Sequence, residues 1–368
     1  MKVLQILPRV PPAVCGIADY AWSIARGLRD EHEIQSQFLS AGTSWTAPQG
    51  ETEFPVRRLS KLDAGCLVDF VRARPDVQAV VLHMSPYGYQ KRAVPLWLAS
   101  AWDEVAALPH RPRLITMFHE LYAYGSMRSS AFWLQLLQKW VLRRVARASD
   151  ALRTNRQLYA DWLLGVAALQ TNQVEVMPVF SNFGEPSLLP PLAQREPAMA
   201  MFAWGIHSGE SLKTVLGKAA ACCRQFGLHR LHLIGWTKTL DETELGIEVV
   251  RHGFLEGETI SRLLLSCRMA YTAYSPMHLG KSTLVAAFAA HGLVVITQGK
   301  EPMLPDGLED GRQVLHEASL AGQEKPDEAK LESLGRNLRS WYDNHSLAAN
   351  VRSYAAQIRN VINLDRHR

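Results

Sequence analysis

Paired cysteines, long uncharged runs and the common nucleotide-binding fingerprints are all missing from this sequence. Its five cysteines, Cys15, Cys66, Cys222, Cys223 and Cys267, are odd in number and show no Cys-x-x-Cys spacing, which argues against a disulfide framework and a structural zinc site. They read as small buried hydrophobes in a reducing compartment. No uncharged run approaches the roughly 20 residues of a membrane span. The start, Met-Lys-Val-Leu-Gln-Ile-Leu-Pro, lacks a cationic leader and a small-residue cleavage site, so a cytoplasmic protein is expected, free or peripheral to the inner face of a membrane. No Gly-x-Gly-x-x-Gly follows the first strand, and no Asp-x-Asp pair offers a metal site, so neither cofactor nor metal is expected. The net charge of +5 is too small to demand nucleic acid, but it suits a phosphate-bearing ligand or an anionic membrane surface.

What is present is alternation. At 368 residues, 47% hydrophobic and 20% charged, the chain is globular and long enough for two domains of about 150 to 200 residues each. Near-continuous apolar runs at 2–7, 34–39, 79–83, 113–118 and 174–179 read as parallel strands covered on both faces, and so do 200–205, 231–235, 249–255, 269–274 and 293–297. Helical spacing falls between them, at 18–28, 59–74, 132–148, 157–164, 259–267, 282–291 and 328–359. The Pro- and Leu-rich stretch 186–197 marks the domain boundary. The fold class is α/β, with domains at 1–186 and 197–345 and a C-terminal helix at 346–368.

One stretch carries most of the chemistry. Between a strand ending near Tyr274 and another starting at Leu293, the chain reads Pro276-Met-His-Leu-Gly-Lys-Ser-Thr283 and then a small-residue helix stopped by Gly292. Free backbone N–H groups, a helix N-terminus, two hydroxyls and an ammonium together suit a diphosphate. A Walker A loop needs Gly five residues before the Gly-Lys pair, and that position is Ser275, so a P-loop nucleotidase is disfavoured. The structural alternative is that Lys281 is solvated and Ser282 is an ordinary N-cap.

The ending Ala-Phe-Ala-Ala-His-Gly-Leu-Val-Val-Ile resembles the segment before the last strand of the C-terminal domain in GT-B glycosyltransferases, and the chain is similar to their retaining group over nearly its whole length. The resemblance implies two Rossmann-like, doubly wound domains facing a cleft, with the final helix crossing back onto the first domain. It implies a nucleotide-diphospho-sugar donor held by the second domain and a glycan, lipid-linked or other hydroxyl acceptor held by the first. In that group the helix usually carries Glu-x7-Glu, the second carboxylate holding the ribose; here the aligned residues are Leu279 and Ala287. Gly280, Lys281, Ser282 and Thr283 stand where the donor diphosphate is expected. Front-face displacement with retention, the diphosphate leaving toward this loop, is the implied mechanism.

Further donor contacts follow from the same resemblance. Gly16 keeps one Gly of the family's first loop, while Cys15 replaces its neighbour. Ile206 stands where an Arg is usual, leaving Lys213 and His207 as nearby charge. The exits Gly235-Trp-Thr237 and Gly253-Phe254-Leu255 match places where such enzymes receive the nucleotide base. On the acceptor side, His119 and Glu120 follow the strand 113–118, at the position of a His that contacts the transferred sugar. An imidazole can hydrogen-bond a sugar hydroxyl, and a carboxylate beside it can bind a hydroxyl or orient the ring. Tyr87 and Tyr89 follow the strand 79–83, and Asn155 stands at a strand-to-helix turn; both places are carboxyl ends, where open parallel sheets bind ligands.

His119, Glu120 and Lys281 are therefore the expected catalytic residues. Trp97 and Trp102 read as core or acceptor-side packing, and helix 132–148, with Trp133, Leu137, Trp140 and Val141 among Lys139, Arg143, Arg144 and Arg147, can either lie on an anionic bilayer or pack on the sheet with its arginines solvated. A non-catalytic module that binds a nucleotide sugar or a partner enzyme is the second reading, and a sugar-nucleotide epimerase the third.

Overall fold

The computed structural model describes residues 1–13, 15–44, 50–123, 130–167, 174–204, 211–237, 245–298, 304–320, 322 and 324–363. The chain divides into two units, Met1–Met177 with Leu347–Arg368, and Pro178–Ser346.

The first unit runs β1 (Lys2–Leu7), α1 (Gly16–His32), β2 (Gln35–Ser40), β3 (Val56–Arg58), α2 (Ala64–Arg72), β4 (Ala79–Met84), α3 (Pro86–Tyr89), α4 (Leu96–Ala106), β5 (Arg113–Phe118), α5 (Ser130–Ala148), β6 (Ala151–Thr154), α6 (Gln157–Ala167) and β7 (Val174–Val176). Its seven strands are parallel, in the order β3-β2-β1-β4-β5-β6-β7. The second unit runs β8 (Glu196–Phe202), α7 (Leu212–Phe226), β9 (Arg230–Ile234), β10 (Glu248–His252), α8 (Gly257–Ser266), β11 (Cys267–Thr272), α9 (Thr283–Ala290), β12 (Val294–Thr297), β13 (Val314–His316), α10 (Glu317–Leu320) and α11 (Glu328–Asp343). Its six strands are also parallel, ordered β10-β9-β8-β11-β12-β13. The last helix, α12 (Leu347–Asn363), packs on α1 in the first unit.

The two faces of the first sheet differ. On one, Leu67, Leu98, Trp102, Val105, Leu142 and Val145 of α2, α4 and α5 join the strands in an apolar core. On the other, under α1 and α12, the Arg153 guanidinium is buried, bonded to Gln357 Oε1 (3.1 Å) and Ser353 Oγ (2.9 Å) and laid 3.8 Å over the Tyr354 ring. A desolvated cation is tolerated only with such partners, so α12 is needed to complete this unit.

Local signals set the ends of elements. Asp63 caps α2 by accepting from the Cys66 N–H, so that helix starts at Ala64 and not at Leu59, where the apolar spacing begins. Ser211 caps α7 and Gly227, at φ 68°, stops it. Strands β3 and β13, three residues each, give too short a pattern to be read as strands. The long C-terminal helical pattern is two helices, α11 and α12. Trp102 is fully buried, its indole N–H donated to Ser149 Oγ at 3.0 Å, which makes it a core residue. No described helix is long and apolar enough to cross a membrane.

Three histidines of the second unit are buried and held near a pKa of about 4, chiefly by desolvation: His232 on β9, His291 after α9 and His345 after α11. His291 joins two helices, with Nδ1–H donating to Ala287 O and Nε2 facing Ser261 Oγ, both at 2.7 Å. In the unfolded chain each titrates at the ordinary histidine value near 6.5. The unfolded state therefore binds protons first, and the stability present above about pH 6.5 is lost as pH falls toward 4. Thermal melts from pH 7.5 to 4.5 should show Tm falling through this window, and His291→Asn should flatten part of the slope; a flat wild-type profile contradicts the assignment.

Candidate active site

In each sheet the strand order reverses once, between β1 and β4 and between β8 and β11, and the carboxyl ends beside such a reversal are where open α/β sheets take ligands.

In the first unit, β1 leads through a proline-rich loop to Gly16 at the start of α1, where a Cβ would meet nothing within 4 Å. From β4 the chain folds into α3, whose Tyr87 is half exposed. Tyr89 is different. It is completely buried, its hydroxyl 2.9 Å from His83 O and 3.1 Å from Ile6 O, and desolvation holds its pKa well above the ordinary value. It braces β1 against β4 and cannot reach an acceptor, so Tyr87 is left as the exposed aromatic at this exit.

His119 and Glu120 leave β5 together. The His119 N–H is bonded to Met84 O at 3.0 Å, and its ring is buried, with Tyr20 edge-on at 5.2 Å between centroids. Its Nε2 lies 3.0 Å from Nδ1 of His83, a residue whose partnership with His119 is invisible in sequence. Glu120 is half buried and accepts from Ser85 Oγ at 2.8 Å. Asn155 follows Thr154, the register partner of Phe118, so it stands beside His119; it is buried and its side-chain oxygen has no hydrogen-bond partner. His119, Glu120 and Asn155 thus gather at the adjoining ends of β5 and β6.

In the second unit, Trp204 follows β8, Gly235 follows β9 and Gly253-Phe254-Leu255 follows β10. Gly235 has φ 83°, its N–H points to His252 O (2.9 Å), and a Cβ there would fall 1.4 Å from the Trp204 ring. The indole therefore occupies the space that a side chain at position 235 would need. Phe254, 82% exposed, stacks on Trp204 at 6.0 Å with ring planes 12° apart. Sequence reading placed Gly235, Gly253 and Phe254 here but missed Trp204, which only the left-handed turn at Gly235 brings onto the platform. Lys213 is exposed in the first turn of α7. Ile206 and His207 lie outside the described residues.

The Gly-Lys-Ser-Thr segment comes at the β11 exit. Pro276–Lys281 forms a 3₁₀ turn, and Ser282 caps α9, its Oγ accepting from the Val285 N–H at 3.3 Å. Ser282 is buried, whereas Lys281 and Thr283 are half exposed. Gly280 is buried, and a Cβ on it would lie 2.9 Å from the Asp306 carboxyl carbon. An acidic group thus rests against the turn, a feature absent from the sequence-based expectation. Leu279 and Ala287, at the positions expected to carry carboxylates, are core residues. Among the described residues no cluster of His, Cys, Asp and Glu could hold a metal ion.

The fold so described is the GT-B fold of glycosyltransferases. Solved structures match it along nearly the full chain: a glycosyltransferase from Rickettsia africae (TM-score 0.60, 12% identity, 98% of each chain covered), the lipopolysaccharide outer core galactosyltransferase WaaB (0.59, 11%, 97% of this chain and 99% of that one), and an alpha-glucosyltransferase solved with UDP and a 13-mer DNA (0.56, 9%, 97% and 99%). No protein-family model matches the sequence, and no curated protein does.

The glycine at 235 gives a direct check on the platform. Gly235→Ala adds both a left-handed non-glycine residue, about 1–2 kcal/mol, and a clash with Trp204. It should lower Tm by several degrees, whereas Gly16→Ala, whose Cβ meets nothing within 4 Å, should leave Tm within a degree of wild type. Equal melting of the two variants contradicts the geometry at Gly235.

Proposed function

We propose that this protein is a glycosyltransferase that moves a sugar from a nucleotide-diphospho-sugar to a hydroxyl acceptor, with retention and without a metal. The observation that carries the reading is the arrangement at the carboxyl edge of the second sheet: an exposed Trp204–Phe254 stack formed from the β8 and β10 exits, with the neighbouring β11 exit carrying a turn that offers Lys281 and a helix N-terminus. An aromatic face suits a nucleobase, and an ammonium with free N–H groups suits the diphosphate attached to it. The structural relatives solved with UDP support a uridine nucleotide as the first donor to try. Lys281 then stabilises the departing diphosphate electrostatically, while His119 and Glu120, with Asn155 beside them, bind hydroxyls of the transferred sugar and Tyr87 contributes to the acceptor side.

The acceptor reading draws on α5. Its exposed Phe132, Trp133, Leu136, Leu137 and Trp140 form one helix face, with Trp133 at 70% and Leu136 at 77% exposure, and Val141, Leu142 and Val145 turn inward instead. The helix carries Lys139, Arg143, Arg144 and Arg147 and no acidic residue. This face fits the surface of an anionic bilayer, with a lipid-linked acceptor drawn from it. A non-catalytic, nucleotide-sugar-binding module remains the second reading, favoured by the apolar Leu279 and Ala287.

Calorimetry with UDP, GDP and ADP tests the donor site: one should bind, and Trp204→Ala and Phe254→Ala should each weaken it by about 1–3 kcal/mol, roughly 5- to 150-fold. Lys281→Ala should weaken the diphosphate more than the nucleoside; binding of none of the three nucleotides overturns the donor site. Product formation from the matching nucleotide sugar, unchanged by EDTA, separates the enzyme from the binding module. Vesicles of neutral and anionic phosphatidyl lipids should co-sediment the wild type, and Trp133→Ser with Leu136→Ser should abolish this without altering Tm; unchanged sedimentation removes the membrane reading.

A further inference from the structure

Four side chains on one face of the first sheet form an unbroken hydrogen-bonded line from near its outer edge to its carboxyl end. Ser36 on β2 meets Gln5 on β1 (Oγ to Nε2, 2.9 Å), Gln5 meets His83 on β4 (Oε1 to Nε2, 2.9 Å), and His83 meets His119 at the exit of β5 (Nδ1 to Nε2, 3.0 Å). The register explains the alignment. Ser36 pairs with Val3, Gln5 with Val81 and His83 with Met117, so each link steps two residues toward the carboxyl end as it crosses to the next strand. A two-residue step keeps all four side chains on the same face. All four are buried. Leaving any of these groups unpaired there costs about 1–3 kcal/mol, so each link favours the arrangement that satisfies its neighbours.

The line has a direction. The Gln5 amide donates to Ser36 and turns its oxygen to His83, and an oxygen that only accepts requires the proton of His83 to sit on Nε2. Burial and the neighbouring histidine hold the pKa of His83 well below the ordinary value, so its ring is neutral and Nδ1 carries a lone pair. That lone pair has to receive the Nε2–H of His119. The two ring planes are 19° apart, and Tyr20, whose hydroxyl donates to Asn350 Oδ1 at 3.1 Å, lies edge-on to both rings.

We propose that Gln5 and His83 are positioning residues that fix His119 as the Nε2–H tautomer, so that, on the transferase reading above, His119 meets a hydroxyl of the bound sugar as a hydrogen-bond acceptor at Nδ1. The sugar hydroxyl donates and His119 keeps its proton; no covalent step is assigned to the line. It selects a group with an O–H to give, and a carbonyl or ether oxygen at the same place finds no donor on His119.

Ring-nitrogen proton–nitrogen correlation spectra of the full-length protein, labelled with 15N at histidine and recorded near pH 8, read the tautomers directly. Loss of signals in His83→Gln and His119→Gln assigns the two rings. The expected result is protonated Nε2 and bare Nδ1 on both; a protonated Nδ1 on His119 reverses the line and overturns the proposal. Gln5→Met removes the acceptor at nearly constant volume and should leave His119 a mixture of tautomers, and Ser36→Ala, a milder change should the first not fold, should do the same by releasing the amide. A pure Nε2–H tautomer in either folded variant overturns the lock. In transfer assays, Gln5→Met should lower kcat about tenfold or more while the nucleoside diphosphate Kd stays at the wild-type value. A kcat equal to wild type overturns the role in transfer. If the tautomers are as expected but no nucleotide sugar is ever turned over, the transferase reading fails and the tautomer assignment stands.

Discussion

A parallel sheet with helices on both faces leaves chemistry one place to gather. Its strand interiors are sealed, as the near-complete burial of β1, β4 and β12 shows, and its side chains become reachable only where strands end. The reversal of strand order sends successive crossover helices to opposite faces and opens space at the carboxyl edge. His119, Glu120 and Asn155 in one unit, and Trp204, Phe254 and Lys281 in the other, stand at such ends because of register, not because a contiguous motif collects them.

The same constraint explains the unequal faces of the first sheet. Where α2, α4 and α5 cover it, the packing is apolar; where α1 and α12 cover it, Gln5, His83 and Arg153 stand in a polar seam. Desolvation of such groups is repaid only by partners in fixed positions, and the partners come from far along the chain: Ser36 for Gln5, and Ser353 and Gln357 for Arg153. The first unit is consequently not complete until the last helix has been made, and its polar partners specify where that helix sits more narrowly than apolar packing would.

Much of this organisation was legible in the sequence. Apolar runs located the long strands, Ser282 and the small-residue run located α9, and the resemblance to GT-B enzymes singled out Gly253 and Phe254, which the pattern alone places inside a strand. What could not be read depended on contacts between elements. Tyr89 looks like an exposed aromatic after a strand, and only the turn of α3 back onto β1 buries it. Trp204 reads as the end of a strand until Gly235 turns left-handed beneath it. Gln5 is visible as a polar residue among Val3, Leu4, Ile6 and Leu7, but periodicity names neither its partner nor the direction of its hydrogen bonds.

The turn before α9 shows how charge can be redistributed within one architecture. A departing diphosphate needs positive potential where its charge develops, and every nearby carboxylate works against it. Replacing two expected carboxylates by the core residues Leu279 and Ala287 removes part of that repulsion, while Asp306 against Gly280 restores some of it from another loop. Asp306 can approach so closely only because Gly280 has no side chain, and its φ of 65° shows a backbone held in a costly conformation to place it there. On the transferase reading, a ribose without a carboxylate partner would leave more of the donor's affinity to the base, and the Trp204–Phe254 stack offers exposed aromatic surface that could supply it. On the same reading, donor recognition would shift from hydrogen bonds at the ribose toward stacking at the base, and Lys281 with the N-terminus of α9 would supply the positive charge that departure needs.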